Sequence, residues 1–374
     1  MFDTNVHSNT PVPFPPPQGR QAVTQQTIAA VSGQQVEQQE EFMMTQAKTY
    51  LTGGAFDKEV SEFRANANLR TGYKTLDRVQ PFYPGVYCIG AIPSLGKTTF
   101  SAQMADQVAE TGRPVLYFSL EQTAFELYSK SLARGFFKTC ERQRRANNAL
   151  NGSYPTPSST AIRNGSARFA YPAELAQQID AYVQNVGNRV CVITNAFSIT
   201  AEDIVGQTER YINQTGEKPV VIIDYLQIIA PNAVFDRGSD TKTRIDRIVT
   251  VLKKLQMKHG LAILIISSLN RQNYSTPVDF ESFKESGGIE YTADVVWGLQ
   301  LSILHEDAYI KEKNVIRQRE MIAEAKSGKQ FRDVDLVCLK NRYGIIGNTV
   351  QFMYYPANDF FCPPYDPHDP DTFI

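Results

Sequence analysis

The stretch Gly90-Ala91-Ile92-Pro93-Ser94-Leu95-Gly96-Lys97-Thr98-Thr99-Phe100 constrains this chain more than any other. It follows the phosphate-loop pattern, a glycine, four residues and then Gly-Lys-Thr, except that Ala91 fills the first glycine position. Before it, Val86 to Ile89 reads as a short buried strand introduced by the turn-like Tyr83-Pro84-Gly85. After it, Thr98 to Glu110 predicts a helix, with Phe100, Met104 and Val108 at four-residue spacing and Thr111-Gly112 to close it. Strand, loop and helix in that order leave the amides of a helix N-terminus free to surround an anion. Ala91, Pro93, Ser94, Leu95, Gly96, Lys97, Thr98 and Thr99 are therefore the candidate nucleotide-binding residues. Lys97 would neutralise the outer phosphates of ATP, and the Thr98 hydroxyl would ligate Mg2+. The competing reading is a glycine turn beside a surface lysine.

Apolar runs recur on both sides of a helical rhythm. Pro114 to Leu120, Arg189 to Thr194, Val220 to Tyr225 and Leu261 to Ser267 lack clean polar alternation, which predicts strands buried on both faces of a mainly parallel sheet. Between them, Thr243 to His259 places Ile245, Ile248, Val249, Leu252 and Leu255 on one helical face. Strands at Val295 to Leu301, Val334 to Leu339 and Thr349 to Tyr354 would extend the sheet. The fold class expected is α/β, a P-loop NTPase with helices flanking a mainly parallel central sheet.

The chain divides by composition. Residues 1–35 are rich in Pro and Gln and read as a disordered arm. Residues 36–54 read as a candidate linker helix, Val36 to Leu51, ended by Gly53-Gly54. Residues 55–357 form the main domain, and 358–374 an irregular C-terminal tail. Lys and Arg total 38 against 39 Asp and Glu, a net charge of -1, which argues against a generally basic nucleic-acid coat but leaves room for a local basic channel. The basic runs Lys138 to Arg145 and Lys311 to Arg319 read as solvated faces. No apolar segment approaches a membrane span and no signal core opens the chain, so a cytoplasmic protein without membrane partners is expected. The five cysteines have no zinc-ligand spacing; Cys88, Cys191 and Cys338 lie in apolar strand candidates and are expected as buried thiols.

Four further features carry chemistry. Asp224 ends a strongly apolar strand, where a carboxylate needs a partner, and a magnesium shell is one. Glu121 closes the strand after the phosphate loop in the same way and is the candidate to orient and polarise an attacking water. Lys340 and Arg342, two apart in Val334 to Gly344, would project from one face of an extended strand toward a phosphate, or toward solvent at a sheet edge. Phe280 to Asp294 contains Gly287-Gly288 beside Lys284, a turn whose amides could meet a phosphate or simply a polar loop.

Together these pieces resemble the ATPase domain of bacterial replicative DNA helicases, the DnaB family of RecA-like hexameric motors. The resemblance rests on Arg70 to Arg78, the phosphate loop, Val115 to Gln122, Thr160 to Gly165, Val220 to Ile229, Ser267 to Arg271, Phe283 to Val296 and Leu339 to Gly347, in family order. It implies Lys97 and Thr98 as phosphate and magnesium contacts, Glu121 as catalytic base and Asp224 as the second magnesium-site acid. Lys340 and Arg342 become a sensor lysine and an arginine finger reaching the γ-phosphate of a neighbouring subunit. Lys284, Glu285 and Gly287 match the loop that touches single-stranded DNA, with Lys where the family commonly has Arg, a substitution that keeps charge and loses a bidentate fork. Ser268 stands where the family commonly carries Gln. The expected function is thus an ATP-dependent DNA helicase, a homo-oligomeric ring, expected as a hexamer, with primase or a loader as candidate partners. The family's N-terminal collar has no counterpart in the residues before the main domain. The readings weighed against this are a recombinase-like or loader-like DNA-dependent ATPase, a non-catalytic ring or adaptor subunit, and a small-molecule P-loop kinase.

Overall fold

The computed structural model describes residues 45–66, 69–146, 155–194, 198–270, 274–283, 287–327 and 330–364. Two compact units divide the chain, Met1–Ala65 and Asn66–Ile374. In the first, residues 45–52 are helical, Gly54 turns with φ +83°, and a second helix spans Ala55–Asn66. Tyr50 stacks edge-on with Phe56, ring centroids 6.1 Å apart, and donates to Glu59 Oε2 at 2.7 Å. The predicted arm over 1–35 and the start of the linker helix lie outside the described residues. The main domain is expected from residue 55, whereas the second unit starts at Asn66, and the helix before it goes with the first unit.

The second unit is built on a nine-stranded sheet. Its strands are β1 (Gly85–Ala91), β2 (Val115–Ser119), β3 (Val190–Thr194), β4 (Val220–Asp224), β5 (Ala262–Ser268), β6 (Val295–Leu301), β7 (Arg332–Asn341), β8 (Thr349–Tyr355) and β9 (Phe360–Cys362). Their order is β3-β2-β4-β5-β1-β6-β7-β8-β9. The first six in that order run parallel, and β7, β8 and β9 add antiparallel. This is a RecA-like α/β fold, and the central strands β1, β2, β4 and β6 are buried along their whole length, as their unbroken apolar character requires.

Helices cover the sheet: α1 (Lys97–Glu110), α2 (Ala124–Ala146), α3 (Ala201–Thr215), α4 (Thr241–His259) and the short α5 (Gly287–Thr292). The face of α4 carrying Ile245, Ile248, Val249, Leu252 and Leu255 is buried, as the spacing predicts. Helix α3 starts on a capping box in which Thr200 and Asp203 satisfy each other's amides. Helix α2 runs past Ala133 to Ala146, so the basic stretch from Lys138 lies on a helix.

Two expectations are corrected. The C-terminal tail is not irregular from 358: Phe360–Cys362 is the edge strand β9, and Phe361 packs on Phe100 and stacks on Tyr354, with centroids 5.4 and 4.3 Å away. Three consecutive apolar residues, Phe360 to Cys362, could close the open β8 edge, which the surrounding prolines obscured. Residues 365–374 lie outside the description. Cys191 is exposed, whereas Cys88 and Cys338 are buried as expected; β3 is the opposite edge strand, so a strand-like run there does not mean burial. Among the described residues no helix is long and apolar enough to cross a membrane.

Candidate nucleotide site and the cations at the far end of the sheet

The register brings the phosphate loop and the candidate acids to one end of the sheet. Ala91 pairs with Ser268, Ile265 with Ile223 and Asp224 with Ser119, so β1, β5, β4 and β2 end side by side. Strand carboxyl ends in such sheets are where ligands collect. Glu121 follows β2 by two residues and is exposed, and its charge is one of the influences that raise the Asp224 pKa.

Between β1 and α1 the loop turns on two residues of positive φ, Ser94 at 63° and Gly96 at 89°. Only glycine fits at Gly96, for a Cβ there would meet the rings of Phe361 and Tyr354 at 2.8 Å and the backbone lies in the left-handed region. Arg332 Nη1 donates to the Ser94 carbonyl at 2.7 Å, which fixes the loop from β7. Leu95 is buried and Pro93 exposed, while Ala91 ends β1 with its carbonyl 3.3 Å from Lys97 Nζ. Lys97 also reaches Ser268 Oγ at 3.5 Å and lies 5.9 Å from the Tyr225 ring centre. The Thr99 hydroxyl donates to Asp359 Oδ1 at 2.9 Å, which leaves its backbone amide at the start of α1 as the group that could meet a phosphate.

Asp224 is 1% exposed. Burial drives its pKa above the ordinary Asp value, the Thr98 and Tyr117 hydroxyls pull it back, and the Glu121 charge raises it again. Oδ2 accepts from Tyr117 at 3.1 Å, and Tyr117 in turn lies 2.8 Å from Ser101 Oγ. Oδ1 is buried and has no hydrogen-bond partner. A buried, unpaired carboxylate oxygen beside a threonine hydroxyl is an all-oxygen donor set that suits Mg2+, which takes one or two protein ligands and completes its shell with phosphates and water. The residues present therefore fit the metal, Thr98 and Asp224 holding it.

Lys340 and Arg342 are not in this cluster. β7 runs antiparallel to β6, so its C-terminal end meets the start of β6, where Val295 pairs with Asn341 on one side and with Tyr87 on the other. The pair thus lies at the opposite end of β1 from the loop, and at about 3.3 Å per residue Val86 and Ala91 are about 17 Å apart. Lys340 Nζ donates to the Glu290 carbonyl at 2.5 Å, and Arg342 Nη1 lies 2.9 Å from Asp294 Oδ1. Burial and the neighbouring Arg342 hold the Lys340 ammonium below its ordinary pKa. The expected common face holds only loosely, since β7 ends at Asn341 and Arg342 begins the turn. Of the candidate DNA-contacting residues, Lys284 and Glu285 lie outside the described residues; Gly287 opens α5, and a Cβ on it would lie 3.4 Å from Lys242 Cε.

Several residues of the site carry no local signal. Gln227 donates to Ser267 Oγ at 2.9 Å and accepts from the Ser268 amide at 3.3 Å, bracing the end of β5 beside Lys97. Tyr117 and Arg332 reach the site from strands whose pattern reads as core or edge. The repeated hydroxyls Thr98, Thr99 and Ser101 were a hint that α1 faces polar partners on more than one side.

A family model described as DnaB-like helicase C terminal domain matches residues 68–361. Replicative DNA helicase DnaB of Haemophilus influenzae is 26% identical over 270 residues, 70% of this chain and 50% of that protein. Its counterpart from Geobacillus stearothermophilus is 25% identical over 291 residues, 76% of this chain and 54% of that protein. The chain spans about half the length of the curated relatives it matches. In fold it is similar to a solved ATPase domain, with TM-score 0.62 at 20% identity, covering 84% of this chain and 97% of that one. A DnaB-like replicative helicase, whose structure was solved together with a study of its interactions with primase, gives TM-score 0.61 at 19% identity, over 90% of this chain and 75% of that one.

Proposed function

The chain belongs to the family of DnaB-like helicase C-terminal domains, and on that premise we propose that it is an ATP-dependent DNA helicase subunit that forms a ring and moves on single-stranded DNA. The observation that carries this reading is the separation of the two sets of charged residues. Lys97, Thr98, Glu121 and Asp224 gather at the carboxyl ends of the strands, whereas Lys340 and Arg342 stand at the other end of the same sheet, beyond reach of their own phosphate loop. Copies stacked head to tail would bring one chain's cations to the next chain's nucleotide, an arrangement that closes into a ring.

In this reading ATP lies on the loop from Ala91 to Thr98, with the amides at the start of α1 and Lys97 on its phosphates. Thr98 and Asp224 would hold magnesium, which would supply positive charge to neutralise the phosphates. Glu121 orients the attacking water and accepts its proton. Arg342 of the adjacent copy, with Lys340, stabilises the charge that develops on the transferred phosphoryl group. By family resemblance Lys284, Glu285 and Gly287 are assigned to contact with single-stranded DNA, and primase or a loader is the partner class expected of the ring.

The test is strand displacement on 5′- and 3′-tailed forked substrates, run beside ATPase measured with and without single-stranded DNA and sedimentation of the nucleotide-bound protein. ATP-dependent displacement of one polarity by an oligomer is expected. DNA-stimulated ATPase without displacement would favour the loader-like or recombinase-like reading, and full stimulated turnover by a monomer would overturn the ring motor.

A further inference from the structure

Where the two cations meet the sheet, one acid holds the arrangement. Asp294 precedes β6, and its side chain is 1% exposed. Oδ2 accepts from the Val86 amide at 2.8 Å and from Lys253 Nζ at 2.6 Å. Oδ1 faces Arg342 Nη1 at 2.9 Å, an ion pair without hydrogen-bond alignment. The main chain repeats the link, for the Asp294 amide donates to the Val86 carbonyl at 2.7 Å and the Arg342 amide to the Asp294 carbonyl at 2.9 Å. There is no slack around the carboxylate: a Cβ at Gly85 would lie 2.4 Å from the Tyr343 hydroxyl and 3.2 Å from Asp294 Oδ2. Tyr343, next to Arg342, donates to the Pro84 carbonyl at 2.7 Å. Arg342 by contrast has a side chain 55% exposed.

We propose that Asp294 is a positioning residue for Arg342. The carboxylate is anchored through Oδ2 to β1 and α4, and offers Oδ1 as a fixed seat for one edge of a guanidinium whose remaining donors stay available. Arginine has five N–H donors in a rigid fork, so one edge can be held while another meets a phosphate. A long flexible cation left unheld would lose rotamer freedom on every catalytic encounter, and holding it beforehand removes that cost. Lys253 plays the supporting part: its ammonium, 2.6 Å from Oδ2, holds the carboxylate in place. The inference rests on Arg342 acting on a neighbour's nucleotide.

The experiment measures kcat and ATP KM in the full-length chain, alone and in mixtures that permit subunit exchange. Asp294→Asn keeps size and should lower kcat roughly 10- to 100-fold, a part of the 10³ or more that an arginine finger supplies, with KM changed less than about threefold. Because this variant leaves Lys253 beside a neutral amide, the double variant Lys253→Met with Asp294→Asn removes both charges of the pair together. It should stay as impaired as Asp294→Asn alone. Recovery in the double variant would mean that Asp294 only balances Lys253, and would overturn the proposal.

Mixing supplies the readout that a structural defect would not move. Asp294→Asn chains retain an intact phosphate loop, so Lys97→Ala chains, which retain a seated Arg342, should restore turnover in mixed rings. The same mixing with Arg342→Ala tests the underlying reading. If Arg342→Ala is rescued and Asp294→Asn is either unimpaired, faster than wild type or not rescued, the positioning role is wrong and the trans arginine survives. If Arg342→Ala itself is not rescued in verified mixed rings, the trans reading falls and the proposal falls with it.

Discussion

The two ends of the sheet solve different problems with similar residues. At the carboxyl end a buried acid, Asp224, keeps one oxygen without a partner, and the lysine nearby leans on a backbone carbonyl and a serine. At the other end a buried acid, Asp294, has its oxygens turned to Val86, Lys253 and Arg342, and the arginine projects half into solvent. An acid left short of partners inside a protein costs stability unless something arrives to satisfy it. An acid already matched by cations is finished within the chain, and its value lies in what it presents outward. In the proposed ring the first end receives a ligand and the second is delivered to a neighbour, each end supplying half of a composite site.

The sharpest way to break the contrast is to remove the receiving cation. Lys97→Ala should reduce ATP turnover to background, because no other cation of the described loop lies against the phosphate position, while the thermal midpoint stays within a few degrees. Lys97 lies 3.3 Å from the Ala91 carbonyl and 3.5 Å from Ser268 Oγ, long contacts whose loss should cost the fold little. Hydrolysis and melting measured on the same preparation decide it: near-normal turnover would end the assignment of this end as the nucleotide site.

Next in size is Glu121→Gln. The amide keeps the length and loses the proton acceptor, so hydrolysis should fall by about 10² to 10⁴ while nucleotide binding persists. Binding of a fluorescent ATP analogue checks the second half. Wild-type hydrolysis would move the base elsewhere, and not to Glu290, whose carbonyl bonds Lys340 at the far end of the sheet.

How much of this was open to a reader of the sequence follows from what is local. Strands β1, β2, β4, β5 and β6 lie where unbroken apolar runs put them, since burial on both faces needs no knowledge of partners. Asp224 stood out because it ends such a run. The C-terminal strand did not, because Phe360–Cys362 is three residues long between polar turns and is defined only by pairing with β8. Asp294 was likewise silent: it sits in a polar stretch, and its partners Val86, Lys253 and Arg342 come from three separate elements. Contacts such as Thr99 to Asp359, 260 residues apart, are made by topology, and residue spacing carries no trace of them.

A third test uses acid. Asp224 has its pKa raised above the ordinary Asp value, mainly by burial. Without metal, a carboxyl of raised folded pKa adds stability below the unfolded value and loses it as pH rises through the folded one. Metal binding needs the ionised form, so the order reverses: Mg2+ affinity should be level above the raised value and fall about tenfold per pH unit below it. Titrating Mg2+ against nucleotide-bound protein at successive pH values locates the break. A break at the ordinary carboxylate value would mean that Asp224 is not the ligand.

The smallest expected effect isolates a single hydrogen bond at the receiving end. The phenol of Tyr117 is itself held well above its ordinary pKa by burial, so it remains a donor to Asp224 Oδ2 and one of the interactions that draw the Asp224 pKa down. Tyr117→Phe removes that donor and leaves Ser101 without the hydroxyl 2.8 Å away. The fold should lose about 1 kcal/mol, the net worth of a buried hydrogen bond, read from denaturant midpoints at unchanged slope. With the lowering influence gone, the Asp224 pKa moves further up, and the pH at which Mg2+ affinity begins to fail must move up with it. The same substitution is far from Arg342, so the mixed-ring rescue between Arg342→Ala and Lys97→Ala should be unchanged in the Tyr117→Phe background. A shifted metal curve with intact rescue separates the two ends as independent devices, and an unshifted curve would mean that Tyr117 packs beside the acid without tuning it.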